Sequence, residues 1–158
     1  MQATIRLCLR ALCCLMLPAI GIASQEHAFT LKVTDNLRPG AKLYVAVYTE
    51  QAHSWQSPIL QKLVFTLPST TEAEFSLPLP PGRYAVKAFV DENENQILDR
   101  KNQRTPVEPF GFSLGDRRNK PSFRFTKSVA TLNADSPAIS LQLQYPQANE
   151  DTVKQPEP

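Results

Sequence analysis

The sequence predicts an all-β fold, a single antiparallel β-sandwich of about seven strands with one long Asp/Asn-rich loop. Three observations carry this expectation. Apolar residues alternate with a period of two in short runs. Proline and glycine corners separate those runs. No stretch shows a sustained helical period. A closed barrel is the alternative architecture.

Each element follows from its own residues. Ala28 to Thr34 reads as the first strand, with Phe29, Leu31 and Val33 on one face. Pro39-Gly40 makes the next corner. Ala41 to Thr49 is the second strand, apolar on both faces, and so covered on both. Glu50 to Pro58 holds helix-tolerant residues, His53 and the lone Trp55, and fits one irregular turn. Leu60 to Leu67 is a third strand and Glu72 to Leu77 a fourth. Pro81-Gly82 suits the centre of a type II turn, since proline pre-sets φ and glycine accepts a positive φ. Arg83 to Asp91 is the fifth strand, again apolar on both faces. A long stretch without period follows, and a loop of that length inside a compact domain is usually functional. Ser122 to Thr131 resumes as a strand, with Phe123 and Phe125 inward, and Ala138 to Tyr145 closes the sheet. The cysteine pair of immunoglobulin domains is missing, so the sandwich is Ig-like or transthyretin-like at most.

The ends are read separately. Arg6 and Arg10 precede an uncharged apolar run, Ala11 to Ala23, that ends in small residues. This is the pattern of a signal peptide, 1–23, cleaved between Ala23 and Ser24. The run is short of the roughly 20 residues a membrane-spanning helix needs. Cys8, Cys13 and Cys14 all lie in the 1–23 leader, so the mature chain is expected to have no thiol, disulfide or zinc-thiolate chemistry. The expected location is the bacterial periplasm, outer surface or extracellular space. The β-sandwich domain is placed at 24–146. Residues 147–158 are polar, proline-containing and aperiodic, and are expected to form a disordered tail. The chain has 17 basic and 15 acidic residues. The leader holds two of the basic ones, so the remainder is neutral and a nucleic-acid footprint is not expected.

The distinctive residues centre on Leu79 to Ser113, with further pieces on either side. Leu43-Tyr44-Val45-Ala46-Val47-Tyr48 comes first, then LPPGRYAVKAFVDENENQILD, then Pro106 with Glu108-Pro109-Phe110-Gly111-Phe112-Ser113, then Pro121 and Phe123. This combination resembles a family of small secreted bacterial proteins known as domain of unknown function 2141. The resemblance covers essentially the whole mature chain except the tail. It implies an exported β-sandwich; it does not imply a biochemical activity. Glu94, Gln96 and Arg104 stand where the family pattern has glycine, which weakens the expectation of a tight loop.

Asp91, Asn93, Asn95 and Asp99 fall at positions one, three, five and nine of a loop, with the Ile97 carbonyl at position seven. Hard oxygens at that spacing suit calcium. Gln96 replaces the turn glycine, and Asn102 stands where a bidentate glutamate would complete the shell. Affinity is therefore expected to be weak, on the order of 10⁻⁴ to 10⁻³ M. Glu108 could supply a missing ligand. The competing reading is a loop that caps its own backbone, which Asp and Asn readily do.

Phe110 and Phe112 have two readings as well. They form a stacking platform for a ligand such as a sugar, or they anchor the long loop to the sandwich. Trp55 is expected in the core or at its rim. His27 and His53 belong to no catalytic motif, and no phosphate loop exists. Asp91 and Asp99 as a carboxylate pair would suit a hydrolase, without a supporting cleft signal. Arg117, Arg118, Lys120, Arg124 and Lys127 make a local basic patch, read as a solvated face. The expectation is a monomeric, non-catalytic binding or accessory module, with an envelope component or polysaccharide as partner. The alternatives are a purely structural domain and a metal-dependent hydrolase.

Overall fold

The computed structural model describes residues 29–115 and 124–146. The leader and its Ala23–Ser24 junction, His27, the 147–158 tail, Phe123, and the basic residues Arg117, Arg118 and Lys120 lie outside the described residues. The described part is all-β. Its strands are β1 (Phe29–Thr34), β2 (Lys42–Thr49), β3 (Gln61–Thr66), β4 (Ala73–Leu77), β5 (Gly82–Asp91), β6 (Arg100–Lys101), β7 (Thr105–Pro106), β8 (Phe110–Phe112), β9 (Val129–Leu132) and β10 (Ala138–Gln142). Two 3₁₀ turns, Glu50–Ala52 and Phe125–Lys127, are the helical elements.

Two sheets form the layers. One has the order β10-β1-β4. The other has the order β3-β2-β5-β8, with β9 also on β5. β9 pairs with the first half of β5 and β8 with its second half, so both share one edge of that strand. Period-two alternation fills the space between the layers. Leu43, Val45 and Val47 of β2 and Val86, Ala88 and Val90 of β5 face Leu31 and Val33 of β1 and Ile139 and Leu141 of β10. All of these are buried. β8 also joins the sheets along one side. Phe110 exchanges backbone hydrogen bonds with Gln144 at 3.0 and 2.8 Å, and the Leu114 amide donates to Ser140 at 3.0 Å. Gly111 permits that approach, because a Cβ there would lie 2.6 Å from the Gln142 carbonyl oxygen.

Four expectations need correction. The sandwich is not wholly antiparallel, since β1 and β10 run parallel, Leu31 beside Ile139. Strands exceed seven because the aperiodic stretch contains β6, β7 and β8, which are too short to show a period. The 122–131 segment is not one strand. A 3₁₀ turn carries Phe125 inward, and pairing starts only at Val129. Gly82 opens β5 without a positive φ, so Pro81-Gly82 is not a type II turn. Space constrains Gly82 instead: a Cβ would lie 2.9 Å from the Tyr84 hydroxyl, which donates to the Pro80 carbonyl at 3.0 Å. Gly40 does take a positive φ, +83°, as its corner requires.

Candidate binding site

Strand alternation also builds the outer face of the larger sheet. Tyr44, Ala46 and Tyr48 leave β2 opposite its core residues. Register lines up their neighbours. Tyr44 lies beside Val64 and Phe89, and Ala46 beside Lys62 and Lys87. Phe110 and Phe112 fall beside Phe89 and Lys87. The outcome is an aromatic sheet surface with a lysine in its middle.

A second, smaller core closes one end of this surface. Tyr48, Ala85 and Phe125 are buried, and Trp55 packs against them. The Trp55 ring meets those of Phe112, Phe125 and Tyr48 at centroid distances of 4.8, 5.0 and 5.4 Å. Further along, Tyr44 and Phe89 stack at 5.2 Å with planes 13° apart. The segment after β5 supplies Gln96, Leu98, Arg100, Arg104 and Pro106 to the same space. Together these groups enclose a cleft of about 670 Å³, within the range of small-molecule sites.

The charge in the cleft is one-sided. Lys62, Lys87, Arg100 and Arg104 line it, and no Asp or Glu does among the described residues. The Lys87 ammonium donates to the Trp55 carbonyl at 3.2 Å and lies 5.1 Å from the Tyr48 ring centroid. Burial pushes its pKa below the ordinary lysine value, and the Arg100 charge pushes it further the same way.

The Asp/Asn-rich loop lies beside the cleft and is closed by its own groups. Asp91 is buried, and its two carboxylate oxygens accept the amides of Asn95 at 3.1 Å and Gln96 at 2.8 Å. The Asn93 and Asn95 side-chain amides both donate to Asp99, at 2.6 and 3.1 Å. Asn95 Oδ1 accepts the Ile97 amide at 2.8 Å. Glu108 does return to the loop. It is buried and accepts the amides of Glu92 and Asp99 at 2.9 and 3.0 Å. Arg38 pairs with Glu92 and ties the loop to the β1–β2 turn.

Asp91, Asn93, Asn95 and Asp99 are thus brought together; Ile97, expected to contribute only its carbonyl, is tied to the loop through its amide on Asn95 and is 64% exposed. No group of three or more His, Cys, Asp or Glu side chains is placed to hold a metal among the described residues. Phe110 and Phe112 line the cleft and also anchor the chain. Sequence reasoning missed Tyr44, Lys87 and Phe89. The available signal was a lysine flanked by Ala85 and Phe89 in a strand otherwise apolar on both faces.

A family match covers residues 31–138, more than half of the chain, and the family is described as uncharacterized protein conserved in bacteria (DUF2141). The chain belongs to this family. Comparison with curated proteins finds no match for this DUF2141 chain, and comparison with solved structures finds none either. The matched region spans both the cleft and the loop. Glu94 and Gln96 have φ of +61° and +65°. The loop therefore keeps a glycine-like backbone at two positions where it lacks glycine, and it is tight.

Proposed function

We propose that this DUF2141 protein is an exported, non-catalytic binding module whose ligand lies in the aromatic cleft on the outer face of the larger sheet. The observation that carries the reading is the cleft itself, floored by Tyr44, Phe89 and Phe112 and walled by Trp55. Aromatic faces left uncovered beside fixed polar groups are the usual makings of a ligand site. Export rests on the leader pattern and on the thiol-free remainder of the sequence. The test is titration with phenylnaphthylamine, a neutral probe whose emission rises on entering an apolar site. Saturable binding that Tyr44→Ala and Phe112→Ala each weaken, in variants that still melt cooperatively, is the expected result. No saturable binding of this probe or of its charged analogue anilinonaphthalene sulfonate, or binding indifferent to both changes, overturns the reading and leaves a structural domain.

Convergence of Asp91, Asn93, Asn95 and Asp99 favours a second role, weak calcium binding at the loop. The ion would compete with the Asn93 and Asn95 amides for Asp99. A melt in excess calcium, in magnesium and in chelator decides it. An ion at about one hundred times its Kd adds about 2.7 kcal/mol. A calcium-specific rise lost in Asp99→Ala supports the role; identical melts leave the loop as self-capped scaffold.

A further inference from the structure

We propose that the cleft selects an anion, a carboxylate, sulfate or phosphate carried on a flat apolar body, with the acidic group held between Lys87 and Arg100. This inference rests on the cleft being the binding site. Elsewhere Lys32 pairs with Glu74, Arg83 with Glu50 and Arg38 with Glu92, while Lys42, Lys101, Arg124 and Lys127 have no carboxylate partner among the described residues. The cleft differs in gathering four cations into one space that no Asp or Glu lines among the described residues. Lys62, Lys87, Arg100 and Arg104 have no carboxylate partner among the described residues. Two of them reach the cleft from different segments and lie close enough to influence each other: Lys87 comes from β5 and Arg100 from β6.

Lys87 is the informative group. An ammonium on an aromatic surface, half-withdrawn from water and near a second cation, is an unfavourable arrangement. The Tyr48 and Trp55 rings and the Trp55 carbonyl offset part of this. An ammonium has three N–H donors, and the Trp55 carbonyl is its only hydrogen-bond acceptor among the described residues. The unused donors and the Arg100 guanidinium share the cleft with the Tyr44–Phe89 stack. An acidic head and a flat body would each find a matching surface. Neutral ligands would leave the cations unpaired.

A matched pair of probes tests this. Anilinonaphthalene sulfonate and phenylnaphthylamine share one aromatic body, and only the first carries a charge. On the full mature chain the sulfonate is expected to bind about tenfold or more tightly than the neutral probe. That preference should shrink with added salt. It should also collapse in Lys87→Met and in the Arg100→Gln, Arg104→Gln double variant. The two arginines are exposed, so the double variant reports on charge without disturbing the core. Naphthoate, naphthyl sulfate and naphthyl phosphate should displace the sulfonate where naphthol does not, and their order assigns the acidic group. Equal affinity for the two probes overturns the anion inference and leaves the cleft as a neutral site. A sulfonate preference unchanged in every variant also overturns it. Failure of both probes sinks the cleft reading itself.

Discussion

The Asp91–Asp99 loop and the outer face of β2, β5 and β8 lie side by side and treat their polar groups in opposite ways. In the loop every prominent oxygen has a local partner. Asp91 and Glu108 each take two backbone amides, and Asp99 takes two side-chain amides. On the sheet face the cations meet rings, a carbonyl and one another. A residue-rich motif can therefore be complete in itself, while a plain alternating strand leaves groups unanswered. Composition draws attention to the first region; unpaired charge draws it to the second.

The comparison can be broken most severely at Glu108. Its buried carboxylate joins both ends of the loop, through the Glu92 and Asp99 amides. Glu108→Ala removes two charge-assisted hydrogen bonds and strands two amides, at a cost of about 3 kcal/mol. Urea denaturation should show a lower midpoint at an unchanged slope. A loss under about 0.5 kcal/mol would mean that the loop is not held by its own side chains.

The Lys87 charge gives an intermediate effect with a definite sign. Its folded pKa is lowered by burial and by Arg100, from an ordinary 10.5. Between the folded value and 10.5 the unfolded chain holds the extra proton, so stability rises with pH across that window. The penalty is fully present below the folded pKa. Lys87→Met should thus be the more stable protein near neutrality, and its advantage should narrow as pH climbs toward 10.5. Tyr48 pulls the other way above its ordinary 10.0, because burial raises its pKa and its stabilising proton is lost on further alkalinisation. Paired melts of parent and variant cancel that contribution. An advantage that stays constant with pH would contradict the account of Lys87.

The smallest change sharpens the contrast. Gln96 holds a φ of +65° without a glycine's freedom. That conformation costs an ordinary residue about 1–2 kcal/mol, partly returned by the extra chain entropy glycine loses on folding. Gln96→Gly should raise stability by about 0.5 kcal/mol. Thermal melts can resolve a shift of that size, and a fall would show that the Gln96 side chain matters more than its backbone.

Much of the fold was legible because it is local. β1 to β5 follow from alternation and corners, but β2 and β5 are apolar on both faces, so period alone predicts both covered where the structure leaves Tyr44, Lys87 and Phe89 lining an open cleft. Glu108 as a returning group and Phe110 and Phe112 as anchors were also within reach. The rest depends on contacts distant in sequence. β8 is three residues long and exists because Gly111 lets it reach the Gln142 carbonyl. The parallel β1–β10 pair has no local signal, since alternation does not state direction. The cleft needs Trp55, Lys87, Arg100 and Phe112 together, and they come from four separate segments. Tyr44 and Phe89 read as ordinary strand residues until register sets them face to face.

The pairing of β1 with β10 has a kinetic consequence. The first and last strands among the described residues are partners, and contacts such as the Gln142 amide on Asp35 bridge 107 residues. Their closure must await nearly the whole chain, and such distant pairing slows folding. A nascent chain would carry β1 unmatched along one edge until β10 arrives. Under the export proposed above, this ordering would delay completion of the sandwich until delivery across the membrane is nearly over.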